Sequence, residues 1–395
     1  MSSDQSYDLW EAAAQRADAM TAAGQEPRRQ HLVPRFYIDR WAVNGRVRVV
    51  DLARERNAYE TSPTQAAIET DFYRLEQDGT HVSPVFWEAW LSEVEGKASA
   101  AIARVDAEGM AGMDGEAHQW LCLFLAVQMT RSRSARFLRR AMFIEQMARV
   151  MEFGGPEQLA RMLSDGGKES SSEDLDQLVA DVARFRADPT QLPFPREEDL
   201  EMSASTAIHI AQILTTRHIA LYRTNRAIIT CDEPMVELHE DMARPALWGG
   251  IWGAPIFAFP FSANTCLALY RKDLDPPLRP GAALTSAETV DLNSAVLANA
   301  YNFAIARAGD RIAEGLYLPE TPVRVRSARY NSEDGAESLF RFWAPRRWEG
   351  QQDAPKRVVA RWWPDVVPPA PRPTAEEEAI MESWATNNTA PTPSD

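Results

Sequence analysis

Residues Gln30-His-Leu-Val-Pro-Arg-Phe-Tyr-Ile-Asp-Arg-Trp41 form the most informative stretch of this chain. His31 stands three residues before Pro34, and a tight cluster of aromatic residues follows. The Glu26-Pro27 step disfavours a helix just before the stretch, which is therefore predicted to form a short helix of its own. An ordinary helix start does not require a histidine, a proline and an aromatic cluster together.

Outward from this stretch, periodicity and turn signals predict mainly helices in the first half of the chain and short strands in the second. The predicted helices cover residues 6–23, about 84–105, 116–151, 156–163, 174–186 and 198–215, and a helix from the Thr285–Glu288 capping box to about Ala308. The predicted strands cover 46–51, 218–224, 227–231, 256–260, 266–270, 323–326 and 339–343, with 218–224 and 227–231 forming a hairpin. A second capping box is read at residues 62–65, and a polar loop at 164–176.

These elements indicate an α+β fold, with a predominantly helical bundle packed against a small, mainly antiparallel β-sheet. Residues 1–27 are expected to form an N-terminal helix and lead-in, and residues 28–363 a single α+β domain. Within that domain the helical part is expected at about 84–215 and the sheet part at about 216–345. Residues 364–395 are expected to be a Pro-rich tail, partly disordered.

Composition limits the classes of partner and compartment. The formal net charge of −15 opposes binding to nucleic acid, which is unlikely as a partner without a local basic patch. No apolar run is long enough to span a membrane, and the first 25 residues lack a secretion signal, so a cytoplasmic location without a membrane partner is expected. The three cysteines indicate neither a disulfide framework nor a zinc site.

Two polar residues interrupt the apolar stripe of the predicted long helix. Gln128 and Arg131 fall in the middle of that stripe, where a guanidinium is costly unless it meets a carboxylate, an anion or several carbonyls. Arg131 could tie helices together through an internal ion pair, or it could anchor an anionic substrate with Gln128 beside it. On another face lie Arg133, Arg136 and Arg140, which read as a solvated basic face or as contacts for phosphates.

Three further polar residues have distinctive settings. His31 is a structural residue or an acid–base group, because its ordinary pKa lies near neutrality. Asp232 ends a predicted strand before Pro234, where it caps its own turn or faces a ligand. Asn293 lies on an apolar stripe, as a structural link or a ligand contact.

Two aromatic residues are expected to contact a substrate. They are Tyr37 of the opening stretch and Trp252 of the segment Trp248-Gly-Gly-Ile-Trp252, for which ordinary packing is the alternative.

Together these segments resemble domain-of-unknown-function family 4238, over roughly residues 28 to 308. The residues that carry the resemblance are His31, Val33, Pro34, Phe36 and Tyr37, then Asp71-Phe72-Tyr73, Arg131, Thr230, Asp232, Pro234, Pro260, Ser262 and Asn293. Cys231 stands where the family usually has serine, and Trp41 where it usually has phenylalanine. The resemblance implies a fold and a set of co-occurring polar positions, and it implies no reaction.

The leading hypothesis is an intracellular enzyme, a hydrolase that uses general acid–base chemistry on an anionic small molecule or nucleotide. Asp232 would orient or activate, His31 would carry a proton, and Arg131 would hold the anion. No cofactor is evident, a divalent metal is possible, and the sequence does not set the oligomeric state.

Two other classes of function stay open. A metal-assisted nuclease of a defence or toxin type would use Asp232, with Glu233 or Asp71, as metal ligands and the arginines of the basic face on phosphates. A non-catalytic protein would bind a partner through an apolar surface or the Pro-rich tail.

Overall fold

A computed structural model describes residues 3–25, 27–54, 56–75, 83–163, 171–239, 250–318, 326–331, 337–342, 361–364 and 367. The chain divides into two compact units. The first comprises Met1–Ser132, Leu200–Pro322 and Arg346–Asp395, and the second Arg133–Asp199 and Val323–Pro345. The expectation of a single domain over residues 28–363 stays a prediction. The predicted tail, apart from residues 364 and 367, and the predicted loop residues 164–170 lie outside the described residues.

The fold class is α+β, as predicted. In the described part of the chain, the α-helices are α1 (Ser3–Ala22), α2 (Arg35–Ile38), α3 (Phe86–Glu108), α4 (Gly115–Thr130), α5 (Arg133–Leu163), α6 (Ser172–Ala187), α7 (Arg196–Thr215), α8 (Gly250–Gly253), α9 (Ser286–Asn299) and α10 (Ile312–Gly315). The strands are β1 (Arg29–His31), β2 (Val47–Asp51), β3 (Asn57–Thr61), β4 (Ile68–Thr70), β5 (His218–Thr224), β6 (Thr230–Cys231), β7 (Val236–Leu238), β8 (Ile256–Ser262), β9 (Thr265–Tyr270), β10 (Ala283–Leu284), β11 (Phe303–Arg307), β12 (Arg326–Asn331) and β13 (Glu337–Phe342).

Two larger sheets organise the first unit. One has the strand order β10-β5-β9-β8-β7 and the other β3-β2-β11-β6. All the pairings in them are antiparallel except that of β10 with β5. A separate antiparallel ladder joins β1 to β4 and pairs His31 with Ile68. The mainly antiparallel sheet of the sequence prediction is thus divided into several sheets.

Strand β8 is buried on both faces, and this explains its continuous apolar sequence. Phe257 and Phe259 belong to a core cluster that also holds side chains of α3 and α4. Ala258 points to the other face, into a cluster with Leu292 and Val296 of α9. Successive strand residues point to opposite faces, so a strand covered on both sides loses the polar alternation of a half-exposed one.

The opening stretch lies in the core of the first unit and links its two larger sheets. Tyr37 is fully buried, and its hydroxyl lies 2.7 Å from the hydroxyl of Thr230 in β6 and donates to the carbonyl of Pro260 in β8 at 2.6 Å. The indole N–H of Trp41 donates to the carbonyl of Ile228 at 2.7 Å. The aromatic cluster that marked this stretch is therefore core packing with polar ends satisfied internally.

Four local predictions were wrong. The helix predicted over 116–151 is two helices, because the chain leaves α4 after Arg131, and an apolar stripe that continues across a break cannot reveal it. The predicted capping box at residues 62–65 opens only a 3₁₀ turn, without a side-chain bond from Ser62. The 218–224 and 227–231 strands form no hairpin, because β5 pairs with β9 and β10 while β6 pairs with β11. The helix predicted to run to Ala308 ends at Asn299 and is followed by β11.

The second unit contains α5, α6, the first turn of α7 and the β12–β13 hairpin. Helix α5 is interrupted at Gly155, which has a φ of 76° and is followed by Pro156. Proline lacks a backbone N–H, and the first position of a helix needs none, so a new helix can begin at Pro156. The prediction of a separate helix over 156–163 is confirmed. Buried side chains of α5 and α6, including Met147, Leu159 and Val182, pack together as a small core.

Candidate functional site

A small cavity lies in the first unit beside the end of α4. Its lining residues are Tyr73, Trp87, Trp90, Leu91, Val127, Thr130, Arg131, Leu200, Ser203 and Ala204. Its volume is about 260 Å³, including the open solvent at its mouth. Mostly apolar walls with a few convergent polar groups are typical of a small-molecule site.

Arg131 brings a charge into this cavity. Its backbone closes α4, and its side chain is nearly fully buried, with 5% of the residue exposed. One terminal nitrogen donates to Glu95 of α3 at 2.9 Å and the other to the side-chain oxygen of Gln128 at 2.9 Å. The internal ion pair between helices, one of the two interpretations drawn from the sequence, is therefore present.

The same guanidinium keeps one donor available. Within the described residues, the Nε–H of Arg131 has no hydrogen-bond partner, and neither does the side-chain nitrogen of Gln128. A buried donor left unpaired costs about 1–3 kcal/mol, so a native protein that retains several in one place requires an explanation. An acceptor in the cavity would supply one.

Two tryptophans of α3 also carry buried N–H groups that have no hydrogen-bond partner among the described residues. Trp87 and Trp90 are 3% and 2% exposed, and both line the cavity. Their indole nitrogens are buried without a hydrogen-bond partner in the part of the chain that the structure describes. An indole N–H can only donate. Together with Arg131, the residues that line the cavity therefore carry three buried donors without a partner among the described residues.

Two carboxyl groups of α3 lie beside Arg131. Burial is the main cause that raises the pKa of Glu88 to about 7, with a smaller contribution from the charge of Glu95 that Arg131 opposes. Burial also raises the pKa of Glu95, against the attraction of Arg131. Glu88 thus changes its charge near neutral pH, as a general acid or base must.

Sequence reasoning missed both carboxyl groups. Glu88 and Glu95 are seven residues apart, so they share a face of α3, roughly 40–60° around the helix axis from Leu91 in the cavity wall. The spacing of seven residues was the sequence signal that could have placed both carboxyl groups on one face of α3. It was overlooked because acidic residues in a helix usually face solvent.

His31 belongs to the surroundings of Arg131. The imidazole forms hydrogen bonds with the backbone of Pro63 and Thr64, while its Nε2 has no partner among the described residues. Burial is the main cause that lowers the pKa of His31 from its ordinary value of 6.5, and the charges of Arg131 and Arg35 lower it further. The imidazole is therefore neutral at pH 7, and the structure brings it within the electrostatic influence of Arg131.

Asp232 has a different set of partners. It is 6% exposed, and its carboxylate accepts backbone N–H groups from Tyr301 at 2.8 Å, Asn302 at 2.7 Å and Phe303 at 3.2 Å. Burial raises its pKa to about 6, and these backbone bonds oppose that shift. The carboxylate holds the turn between α9 and β11, which is why the helix predicted to reach Ala308 stops earlier. Its catalytic role stays a prediction.

Asn293 also has backbone partners. Its side-chain oxygen accepts from the N–H of Ile229 at 2.9 Å, and its nitrogen donates to the carbonyl of Ala227 at 3.1 Å. Both ends of the amide tie α9 to the segment before β6. Neither Asn293 nor Asp232 forms a hydrogen bond with His31 or Arg131 within the described ranges. The substrate contact expected for Asn293 stays a prediction.

The two expected aromatic contacts lie in separate places. The hydroxyl of Tyr37 is already hydrogen-bonded to Thr230 and Pro260. Trp252 is half-buried in α8, where the carbonyls of the neighbouring Ile251 and Gly253 accept from Arg217 and Arg271. Neither aromatic residue lines the cavity at Arg131.

Two residues of the nuclease hypothesis, Arg136 and Asp71, are engaged in ion pairs. In the second unit, Arg136 and Arg139 pair with Asp199 at 2.7 and 2.8 Å. In the first, Asp71 pairs with Arg28. The described residues contain no group of three or more His, Cys, Asp or Glu side chains that could hold a metal ion. Burial and the neighbouring acids hold the pKa of the Cys231 thiol well above its usual range.

The chain also has no described helix of the length and apolar character that crossing a bilayer requires. No curated protein and no solved structure matches the chain. A family model described as "Protein of unknown function (DUF4238)" matches residues 29–310, which is more than half of the chain. The match covers His31, Arg131, Asp232 and Asn293, four of the polar positions that carry the sequence resemblance. The chain therefore belongs to the family of proteins of unknown function DUF4238.

Proposed function

We propose that the protein is a hydrolase that acts by general acid–base chemistry on an anionic small molecule at the Arg131 cavity. The observation that supports this most directly is the grouping of three unpaired buried donors with a carboxyl group whose pKa is about 7. Perturbed titratable groups beside a cavity are typical of functional sites. We place the protein in the cytoplasm, because its three cysteines are free thiols, the state that a reducing compartment maintains.

Each residue of the group has a role in this proposal. Arg131 holds the anionic part of the substrate, and Glu95 and Gln128 fix the guanidinium in place. Glu88 accepts a proton from water as the water oxygen attacks the substrate, and it returns that proton to the departing oxygen. One ester and one water thus give one acid and one alcohol. His31, neutral beside Arg131, is a second proton carrier.

Asp232 and Asn293 support this site indirectly in the proposal. Asp232 is hydrogen-bonded at the turn after α9 and Asn293 at the segment before β6, and in this proposal they position strands. A direct role for either residue stays a prediction that the experiments below separate from a structural one.

The test is hydrolysis by the full chain of three chromogenic substrates. These are para-nitrophenyl succinate, which carries a free carboxylate, para-nitrophenyl acetate, which does not, and para-nitrophenyl phosphate. We expect release of nitrophenol from an anionic substrate at a rate that increases as pH rises through 7, because Glu88 must be ionised to act as a base. Glu88→Gln should lower that rate about 10²-fold or more, the usual contribution of a general base.

Asp275→Ala is the matched control, since Asp275 is an exposed acid elsewhere in the first unit. It removes a carboxylate and should leave the rate unchanged. A Glu88→Gln variant that folds and hydrolyses as fast as the unaltered chain would overturn the proposal. So would a complete absence of hydrolysis of all three substrates.

A further inference from the structure

A short segment near the end of the chain, residues 361–364, is docked on the core of the first unit. Trp362 is fully buried, in the core cluster that also contains Tyr222, Tyr270 and side chains of α9. Its backbone carbonyl accepts from the hydroxyl of Tyr270 at 2.6 Å, and its ring meets that of Tyr222 edge-on, with 6.1 Å between the centroids. The tryptophan therefore fills an apolar slot whose wall also binds the backbone of the occupant.

The residue before it is held by a carboxylate at the start of α9. Arg361 donates from Nε to Oε1 of Glu288 at 3.2 Å, from Nη2 to Oε2 at 2.9 Å and from its backbone N–H to Oε1 at 2.8 Å. Nη2 also donates to the carbonyl of Ala283 at 2.9 Å. Two N–H groups of one guanidinium on one carboxylate are a geometry that the ammonium group of lysine cannot reproduce.

The carboxylate belongs to the slot, whereas the guanidinium lies at the surface. The side chain of Glu288 is 5% exposed and that of Arg361 is 53% exposed. Burial acts to raise the pKa of Glu288, but hydrogen bonds from Arg361 and Thr285 lower it to about 2, so the carboxylate is ionised at neutral pH. Because a buried negative charge is costly without a partner, an occupant of the slot has to bring a positive charge beside its aromatic ring.

The slot and its occupant lie on different sides of the family boundary. Tyr222, Tyr270 and Glu288 are inside the matched range 29–310, whereas Arg361 and Trp362 lie well beyond its end. Backbone hydrogen bonds combined with side-chain pockets are the means by which protein surfaces recognise extended peptides. The family domain thus forms a surface with the contacts of a peptide site, and a segment from outside the domain fills it.

We propose that this surface is a binding slot for an extended segment of a partner polypeptide that carries arginine followed by tryptophan. Arg361 and Trp362 occupy the slot as an intramolecular competitor, which the partner segment displaces. The contact is therefore autoinhibitory for partner binding, and it is independent of the proposed hydrolase activity.

The test measures binding of a fluorescent peptide with the sequence of residues 358–367 to the full chain, by anisotropy. In the Trp362→Ala chain, the resident segment has lost its buried ring, and we expect saturable binding of the peptide. Binding to the unaltered chain should be weaker by about tenfold or more, because there the peptide competes with a tethered segment. Trp363→Ala is the matched control: it removes the adjacent, half-buried tryptophan, leaves Trp362 in place and should bind the peptide as weakly as the unaltered chain.

Changes in the peptide test the individual contacts. Trp362→Ala in the peptide should weaken binding by about tenfold or more, since a buried ring is lost, and Trp363→Ala should weaken it less. Arg361→Glu in the peptide should also weaken binding by about tenfold or more, because it places two negative charges together. Adding Glu288→Gln to the Trp362→Ala chain should remove most of the difference between the unaltered peptide and the Arg361→Glu peptide.

Several outcomes would overturn the proposal. They are no binding of the peptide to the Trp362→Ala chain, equal binding to the unaltered chain, and equal binding of the Arg361→Glu peptide. Trp362→Leu, which keeps an apolar side chain in the core, serves where Trp362→Ala does not fold. Failure of both variants to fold would also overturn the proposal, because the segment would then be an indispensable part of the core.

Discussion

Replacing Asp232 by alanine should destabilise the turn between α9 and β11. The substitution removes the acceptor of three backbone N–H groups, those of Tyr301, Asn302 and Phe303, at 2.7 to 3.2 Å. Hydrogen bonds to a charged group contribute about 1.5–3 kcal/mol each, and an unpaired buried donor costs about 1–3 kcal/mol. The three bonds share one carboxylate and are not additive, so we expect a loss of about 3–5 kcal/mol in the free energy of unfolding of this region.

The assay is hydrogen exchange of those three backbone amides at neutral pH, where the carboxylate is ionised. A loss of about 3 kcal/mol corresponds to exchange about 100-fold faster when exchange proceeds through opening of this turn. Asp232→Asn keeps one accepting oxygen, so its exchange rate should lie between those of the unaltered chain and of Asp232→Ala. Asp275→Ala, which removes an exposed acid, should leave the three amides unchanged.

The same variants separate the two roles considered for Asp232. If the Asp232 carboxylate is only structural, the rate of hydrolysis should fall only in proportion to the fraction of molecules that has lost the fold. If Asp232→Asn exchanged these amides at the unaltered rate and yet lost hydrolysis, the reasoning would be refuted, and Asp232 would belong to the chemistry.

Three other substitutions test the core and the cavity. Arg131→Met should lower the free energy of unfolding by about 1–3 kcal/mol, because Glu95, whose side chain is 25% exposed, keeps a partly buried charge without its partner. Adding Glu95→Leu should restore much of the loss, and equal losses in the single and double variants would contradict this. The raised pKa of Glu88 means that folding disfavours its ionised form, so its contribution to stability falls as pH rises from about 4.5 to about 7. Glu88→Gln should remove that slope, about 3 kcal/mol in total, from a series of denaturant titrations against pH, and an identical slope in the variant would contradict it. Tyr37→Phe should cost about 1–3 kcal/mol in chemical denaturation, since its hydroxyl donates to the carbonyl of Pro260 and neighbours the hydroxyl of Thr230 in the core; an unchanged midpoint would show that this link between sheets is dispensable.

Much of the fold could be predicted from local pattern. The apolar stripe of α3 and the Ser83-Pro84 start predicted that helix nearly to its observed bounds. The Thr285–Glu288 capping box is present, with both reciprocal bonds formed. These features succeed because a helix cap and an amphipathic stripe are decided by residues three or four positions apart.

The candidate site could be predicted only in part. An arginine on an apolar stripe had to find a partner, and Arg131 did. The sequence could not show that the partner would be Glu95, or that Glu88 would be drawn into the same group. It could not show that Trp87 and Trp90 would line the same cavity as Arg131, with indole N–H groups that have no partner among the described residues.

By itself the sequence determined the fold class and the list of polar residues that had to be satisfied inside. Tertiary structure alone decided which partner satisfied each one. Asp232 ends a helix about 70 residues away along the chain, and Asn293 holds a segment more than 60 residues before it. Such contacts depend on chain closure over long separations, which no periodicity within a helix or strand encodes.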